Sequence, residues 1–116
     1  MPIINLTRQS TIASHVEIAK GPWQRMKGLL GRSSLNQGQA LVIPQCNSIH
    51  MIFMKFPIDV IFVDKSKTAV GLISRIKPFQ FSPIFLKSSC AIELPAGTIE
   101  LTQTQSGDRL SMDFTG

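Results

Sequence analysis

Between Cys46 and Met54 the chain reads CNSIHMIFM, placing a thiol, an imidazole and two thioethers within nine positions. These are the donor types that hold soft metal ions, so the backbone that carries them decides what they can do. In an extended chain side chains alternate, and His50 and Met51 then face opposite ways and cannot share an ion. Cys46, His50 and Met54 do share a side. Four residues of strand nevertheless separate neighbours by about 13 Å, against roughly 2.0–2.4 Å for a metal–ligand bond. On a helix the same three would line one face at i, i+4 and i+8 and could attract Cu(I). The β-branched Ile49, the following Pro57 and the strand-like run after it favour the extended form. No metal or cofactor is expected, and His50 and the methionines are read as packing residues of a core or cleft.

The carboxylates are the second set of groups that could do chemistry. Asp59 lies in IDVIFVD, which is apolar on both parities: Ile58, Val60 and Phe62 on one face, Ile61 and Val63 on the other. Such a run reads as a central strand covered on both sides, so Asp59 needs a polar neighbour. The expected partners are Arg25 and Arg32. On a helix they project within about 20 degrees of each other, with Gly28 between them, and rim a shallow groove. Two guanidinium forks suit an anion or carboxylate ligand; alternatively one arginine locks the helix to Asp59 or Glu93 while the other meets water. Glu93 alternates with Ile92 and Leu94. If its face is that of Asp59, the two could serve as acid and base in the manner of a glycosidase. In SGDRL, Gly107 reads as a turn residue and Asp108 as a cap for local amides.

The elements that must position these groups are short runs rich in β-branched and aromatic residues, separated by Gly, Pro and Ser. Strands are expected at 4–7, 13–19, 40–44, 48–54, 58–64, 69–76, 90–94 and 108–114. DKSKT turns the fifth back into the sixth as a hairpin. GPWQRMKGLLGR breaks the pattern: Pro22 suits a first helical position, Gly31 a stop, and Trp23, Met26 and Leu30 fall on one side, predicting a short capping helix over 22–31. A second helical segment is expected in TIELTQTQSG, with Thr98 as N-cap, Leu101 inward and Gly107 at the end. The long loop KPFQFSPIFLKSS, with Phe79, Phe81 and Phe85, reads either as a lid or partner surface or as a cover for a sheet edge. The fold class is thus mainly β, a jelly-roll-like sandwich or open barrel of about eight strands with one short capping helix.

Bulk properties narrow the partners. A chain of 116 residues suits one domain spanning 1–116, and 43% apolar with 16% charged residues describes a globular protein. The net charge of +5 favours anionic partners. The basic residues are scattered and Tyr is absent, which argues against nucleic acid. Cys46 and Cys90 could form one bridge; reduced thiols in the cytoplasm are the expectation. The N-terminal residues lack the pattern of an export signal, and no apolar run is long enough to span a membrane.

Four blocks, RMKGLLGR (25–32), HMIFMKFPIDVIFVD (50–64), AIELPAG (91–97) and SGDRL (106–110), resemble the prokaryotic family of domain of unknown function 192, in its order and spacing from about residue 10 to residue 112. The resemblance implies a compact, mostly β domain with a short helix and no established activity. It carries the family's motif positions onto Arg25, Gly28, Leu29, Arg32, Met54, Asp59, Glu93, Gly97, Gly107 and Asp108. Phe53 stands just before the motif Met54, where many members have an aromatic residue, often Trp. The leading expectation is a non-catalytic module that binds a small anionic molecule or a protein partner in a cleft near Arg25, Arg32, Met54, Asp59 and Glu93. The alternative is a hydrolase acting on a sugar-like or phosphate-bearing substrate, with Asp59 and Glu93 as acid and base.

Overall fold

The computed structural model describes residues 2–21, 29, 32, 34–51 and 54–112. Among them, β1 (Ile3–Asn5), β2 (Ser10–Ala13), β3 (His15–Ile18), β4 (Gln39–Pro44), β5 (Ile58–Val63), β6 (Ala69–Ile76), β7 (Cys90–Pro95) and β8 (Leu110–Ser111) form two sheets, with helix α1 (Thr98–Thr102) between β7 and β8. The large sheet runs β3-β4-β7-β5-β6 and the small one β2-β1-β8. All pairs are antiparallel except β3 with β4. The mainly β class and a strand number of eight agree with the pattern of short β-branched runs. The architecture is two facing sheets, with no closed barrel.

The two parities of β5 build two cores. Ile61 and Val63, with Val42, Ile92 and Leu94, pack against Ile3, Ile12, Ala13 and Leu110 of the small sheet and against Ile99 of α1. Ile58, Val60 and Phe62, with Leu41, Ile43 and Ala91, pack beneath a loop-built cover that includes Leu29, Leu35, Ile49, Met51 and Met54. Every residue of β5 is buried and the strand lies between β7 and β6, as an apolar run on both parities requires. The hairpin into β6 forms because Asp64 Oδ1 accepts the amides of Ser66 (2.9 Å) and Thr68 (3.0 Å), closing DKSKT into a turn.

Several elements differ from expectation. The run 13–19 is not one strand: it breaks at Ser14, where the amides of Ser14 and His15 both donate to Gly38 O (2.9 Å each), and the chain passes from the small sheet to the large one. Among its described residues the stretch 48–54 joins neither sheet. Its described part is extended, with Ile49 and Met51 inward and His50 outward, and it pairs with the loop at His50–Phe81. The amide of Met54 donates to Met51 O (3.2 Å). Apart from Leu29, the helix expected over 22–31, Arg25 included, lies outside the described residues. In 98–107 the helix is shorter than expected, because Gln103 takes a left-handed conformation (φ 57°). Its N-cap is Gly97 at φ 97°, not Thr98, and Leu101 is 71% exposed while Ile99 points in. The inward stripe follows the cap: shifting the start by one residue rotates which side chain faces the sheet.

The long loop 77–89 does cover the sheet, through one ring. Phe85 lies on Phe62 (centroids 4.6 Å) directly over Gly71, where an added Cβ would collide with the Phe85 ring. Gly71 is therefore a matter of space. Gly71→Ala is expected to lower stability by about 2 kcal/mol by lifting Phe85 from the sheet. Denaturant unfolding measures this, and a loss under about 0.5 kcal/mol would show that the ring shifts freely.

A second polar network ties the chain ends together. Asn5, fully buried, donates from Nδ2 to Thr104 Oγ1 (3.1 Å) and Asp108 Oδ2 (3.0 Å), and its Oδ1 accepts the Arg8 amide (3.0 Å). Asp108 Oδ2 also accepts the Gln105 amide (2.9 Å) and Arg8 Nε (3.1 Å). Burial alone would raise the Asp108 pKa; the bonds from Asn5, Gln105 and Arg8 outweigh it and hold the carboxyl below its ordinary range. The capping role expected of Asp108 is thus met, and extends to the N-terminal strand.

Candidate functional site

Asp59 is fully buried, and its neighbour is not an arginine side chain. Its Oδ1 accepts the Arg75 amide (2.8 Å) and its Oδ2 those of Gly97 (3.1 Å) and Ile99 (2.8 Å). Two local features aim these donors. The β5–β6 register shifts between Ile58 and Val60, and Arg75 opposite takes φ 55°, turning its N–H toward the carboxylate. Gly97 adopts φ 97°, which presents its own N–H and that of Ile99 together. Three backbone amides satisfy the charge, so the expectation that Asp59 pairs with Arg25 or Arg32 is corrected: Arg32 bonds elsewhere and Arg25 lies outside the described residues. Asp59 joins β6 and the start of α1 to the central strand.

Glu93 is on the other face. In the antiparallel β5–β7 register Glu93 pairs with Val60 and Asp59 with Leu94, and directly paired residues share a face. The two carboxylates therefore project to opposite sides of the sheet. The acid–base pair across one cleft, considered from the sequence, is not built. The physical reason is the odd register offset, which spacing along the chain could not reveal.

What surrounds Glu93 is unusual. It is 6% exposed, flanked in register by Leu41 and Val60, and its Oε1 has no hydrogen-bond partner. Burial pushes its pKa up to about 7, while the nearby Arg32 guanidinium pulls the other way. The Arg32 amide donates to Leu29 O (3.1 Å), and its Nη2 donates to Glu17 Oε2 at 2.9 Å. Glu17 pairs with Leu41 across β3–β4, and Leu41 with Glu93 across β4–β7, so the three occupy one row of the sheet. Glu17 and Glu93 are thus about 10 Å apart at the backbone, two strand spacings, with Arg32 acting on both. The Arg32–Glu17 pair is open to water, its side chains 38% and 61% exposed.

Of the residues singled out in the sequence, the fold sets Arg32 within electrostatic reach of Glu93, with Met54 (7% exposed) in the apolar layer on that face, and sets Asp59 apart. Glu17 is the residue the sequence reading missed. Its signal was the alternation in HVEI, which puts Glu17 on the side opposite Val16 and Ile18. Among the described residues no group of three or more His, Cys, Asp or Glu is arranged to hold a metal. His50 faces outward while Met51 and Met54 are buried. Cys46 donates to Ser48 O (3.0 Å); burial, and secondarily Cys46, pushes the Cys90 thiol up to about 12, which keeps it protonated and poorly nucleophilic.

Comparison with known proteins follows the same outline. The chain is 34% identical over 119 residues to a UPF0127 protein of Thermococcus gammatolerans, covering 97% of this chain and 76% of that one. It is 32% identical over 112 residues to a UPF0127 protein of Pyrococcus furiosus, covering 93% and 95% of the two chains. Among solved structures, a protein of unknown function from Novosphingobium aromaticivorans superposes with a TM-score of 0.81 at 19% identity, over 97% of this chain and 84% of the other, a likeness of fold alone. The DUF192 family, described as Uncharacterized ACR, matches residues 4–112, and the protein belongs to that family.

Proposed function

We propose that the protein is a non-catalytic module that binds a small anion, a carboxylate or phosphate, between Arg32 and Glu93 on the loop-covered face of the large sheet. The observation that carries the reading is Glu93 Oε1, buried within electrostatic reach of the Arg32 guanidinium and, among the described residues, without a hydrogen-bond partner. A carboxyl that stays protonated up to about pH 7 is a donor, so it can offer its O–H to an anionic oxygen while Arg32 supplies the charge. Glu17 occupies Arg32 meanwhile, but an exposed pair of this kind is worth only about 0–1 kcal/mol, and an incoming anion displaces it at little cost. The separation of Asp59 from Glu93 by the sheet weighs against the hydrolase alternative. The buried, unoxidised Cys90 thiol favours a cytoplasmic setting.

The test is a titration with acetate and with inorganic phosphate, followed by amide NMR at pH 6 and pH 8.5. Saturable shifts are expected around Arg32 and β7 at the lower pH, with affinity about tenfold weaker at the higher one as Glu93 ionises and repels the ligand. Arg32→Ala should abolish binding, and Glu17→Gln should tighten it by freeing the guanidinium. No saturable shift with either anion, or an Arg32→Ala variant that titrates like the parent, would refute the proposal.

A further inference from the structure

Four of the six exposed large hydrophobic residues fall within one strap of the 77–89 loop: Phe79 (67%), Phe81 (67%), Ile84 (64%) and Leu86 (87%). The strap is held in place. The Met51 amide donates to Gln80 O and the Phe79 amide to Met51 O (2.8 Å each), the Ser82 amide to Ile49 O (2.9 Å), the Phe85 amide to Asn47 O (2.8 Å), and the Ile49 amide to Ser82 Oγ (2.8 Å). These bonds, with Phe85 seated on Phe62, fix one ring inward and present the other four apolar side chains to water. A monomer hides such side chains unless something receives them.

The charge around the strap says what receives them. No Asp or Glu occurs between Asp64 and Glu93, the stretch that contains the strap, and it holds five of the twelve Lys and Arg residues. Lys77 and Lys87 bracket the strap and Lys55 lies on the adjoining segment; all three are exposed, and none forms a salt bridge among the described residues. Two copies meeting through this face would oppose like charges. Nucleic acid would use the stacking faces of Phe79 and Phe81 but gains nothing from Ile84 and Leu86. Apolar side chains of both kinds, rimmed by lysines, match the boundary of an anionic bilayer, where the tips enter the acyl region and the ammonium groups stay among headgroups.

We infer that residues 79–86 form a docking surface for anionic lipid membranes, with Phe79, Phe81, Ile84 and Leu86 entering the bilayer interface and Lys55, Lys77 and Lys87 contacting the headgroups. This is peripheral attachment, independent of the anion site at Arg32, and no helix among the described residues is long and apolar enough to cross a membrane. The experiment is co-sedimentation of the full chain with vesicles of phosphatidylcholine alone and with about 30% phosphatidylglycerol added. The protein is expected to pellet with the anionic vesicles, and less so in roughly 0.5 M NaCl, where the Debye length is short. Phe81→Ser with Leu86→Ser should lower the partition coefficient at least about tenfold, and Lys77→Glu with Lys87→Glu by about fivefold or more per lysine. Both pairs alter exposed positions, so their thermal midpoints should match the parent, which separates lost docking from lost folding. Equal pelleting with neutral and anionic vesicles would overturn the inference. So would a lipid-free dimer that Phe81→Ser with Leu86→Ser dissociates, or an unstructured oligonucleotide that the parent binds and that variant does not.

Discussion

Replacing Asp59 by Ala is expected to lower the unfolding free energy by about 4 kcal/mol, measured by chemical denaturation at neutral pH. The carboxylate accepts three backbone amides and is fully buried, so the substitution removes three charge-assisted bonds and leaves their donors without acceptors. Each such bond is worth about 1.5–3 kcal/mol, and local relaxation recovers part of the sum. Against a total stability of roughly 5–15 kcal/mol for a domain of this size, that loss brings the protein close to unfolding at physiological temperature. Asp59→Asn separates charge from shape. The amide keeps one accepting oxygen but turns an N–H group toward at least one backbone donor, so most of the loss should persist. An Asp59→Ala protein within about 1 kcal/mol of the parent would mean that the three amides find other acceptors, and the account of Asp59 as the tie between β5, β6 and the start of α1 would fail.

The second large effect belongs to Glu93 and is read as a dependence on pH. Its pKa in the folded protein is pushed up to about 7 from 4.5, chiefly by burial. A folded-state pKa above the unfolded one means that the native state holds its proton longer. The associated stability is fully present below about pH 4.5 and is lost as pH rises to about 7, since ionised Glu93 is easier to keep in the unfolded chain. The amount lost across this window is about 3 kcal/mol. Glu93→Gln should flatten the slope and be the more stable protein at pH 8. Asp108 does not confuse the measurement: its folded pKa lies below the ordinary 3.8, so the stability it contributes is present above that value and is lost only as pH falls beneath it. Arg32 is the group that pulls the Glu93 pKa down, so Arg32→Ala should move the loss to higher pH. A Glu93→Gln protein whose stability tracks the parent at every pH would show that the carboxyl is solvated in solution, and the anion site proposed on it would lose its basis.

The two predictions rest on carboxylates that look alike in the sequence, each flanked by branched apolar residues in a strand-like run. Alternation made both of them sheet residues and, for Asp59 in a run apolar on both parities, made burial readable, because a period of two needs only neighbouring letters. The central place of β5 was equally legible from its two apolar parities. So was the turn at DKSKT, whose Asp64 acts within four residues of itself. The Phe-rich loop was visible as a partner surface or a cover; Phe85 covers the sheet, while Phe79 and Phe81 stay exposed.

What each carboxylate meets was beyond reach of that reasoning. The Asp59 donors come from Arg75, Gly97 and Ile99, up to 40 residues away, and they point at it only because of a strand irregularity and a left-handed glycine. Side-chain chemistry advertised two arginines as partners; backbone amides carry no letter of their own and are available at every position. Which sheet face Glu93 occupies relative to Asp59 depended on a register between strands about 30 residues apart, and a slip of one residue reverses it. The strand content, the central position of β5 and the burial of its carboxylate were therefore properties of local sequence, determined by side-chain alternation and turn chemistry. The separation of the two acids, the company Glu93 keeps with Arg32 and Glu17, and the outward set of the strap were decided by long-range pairing, where the energy lies in contacts that no local window contains.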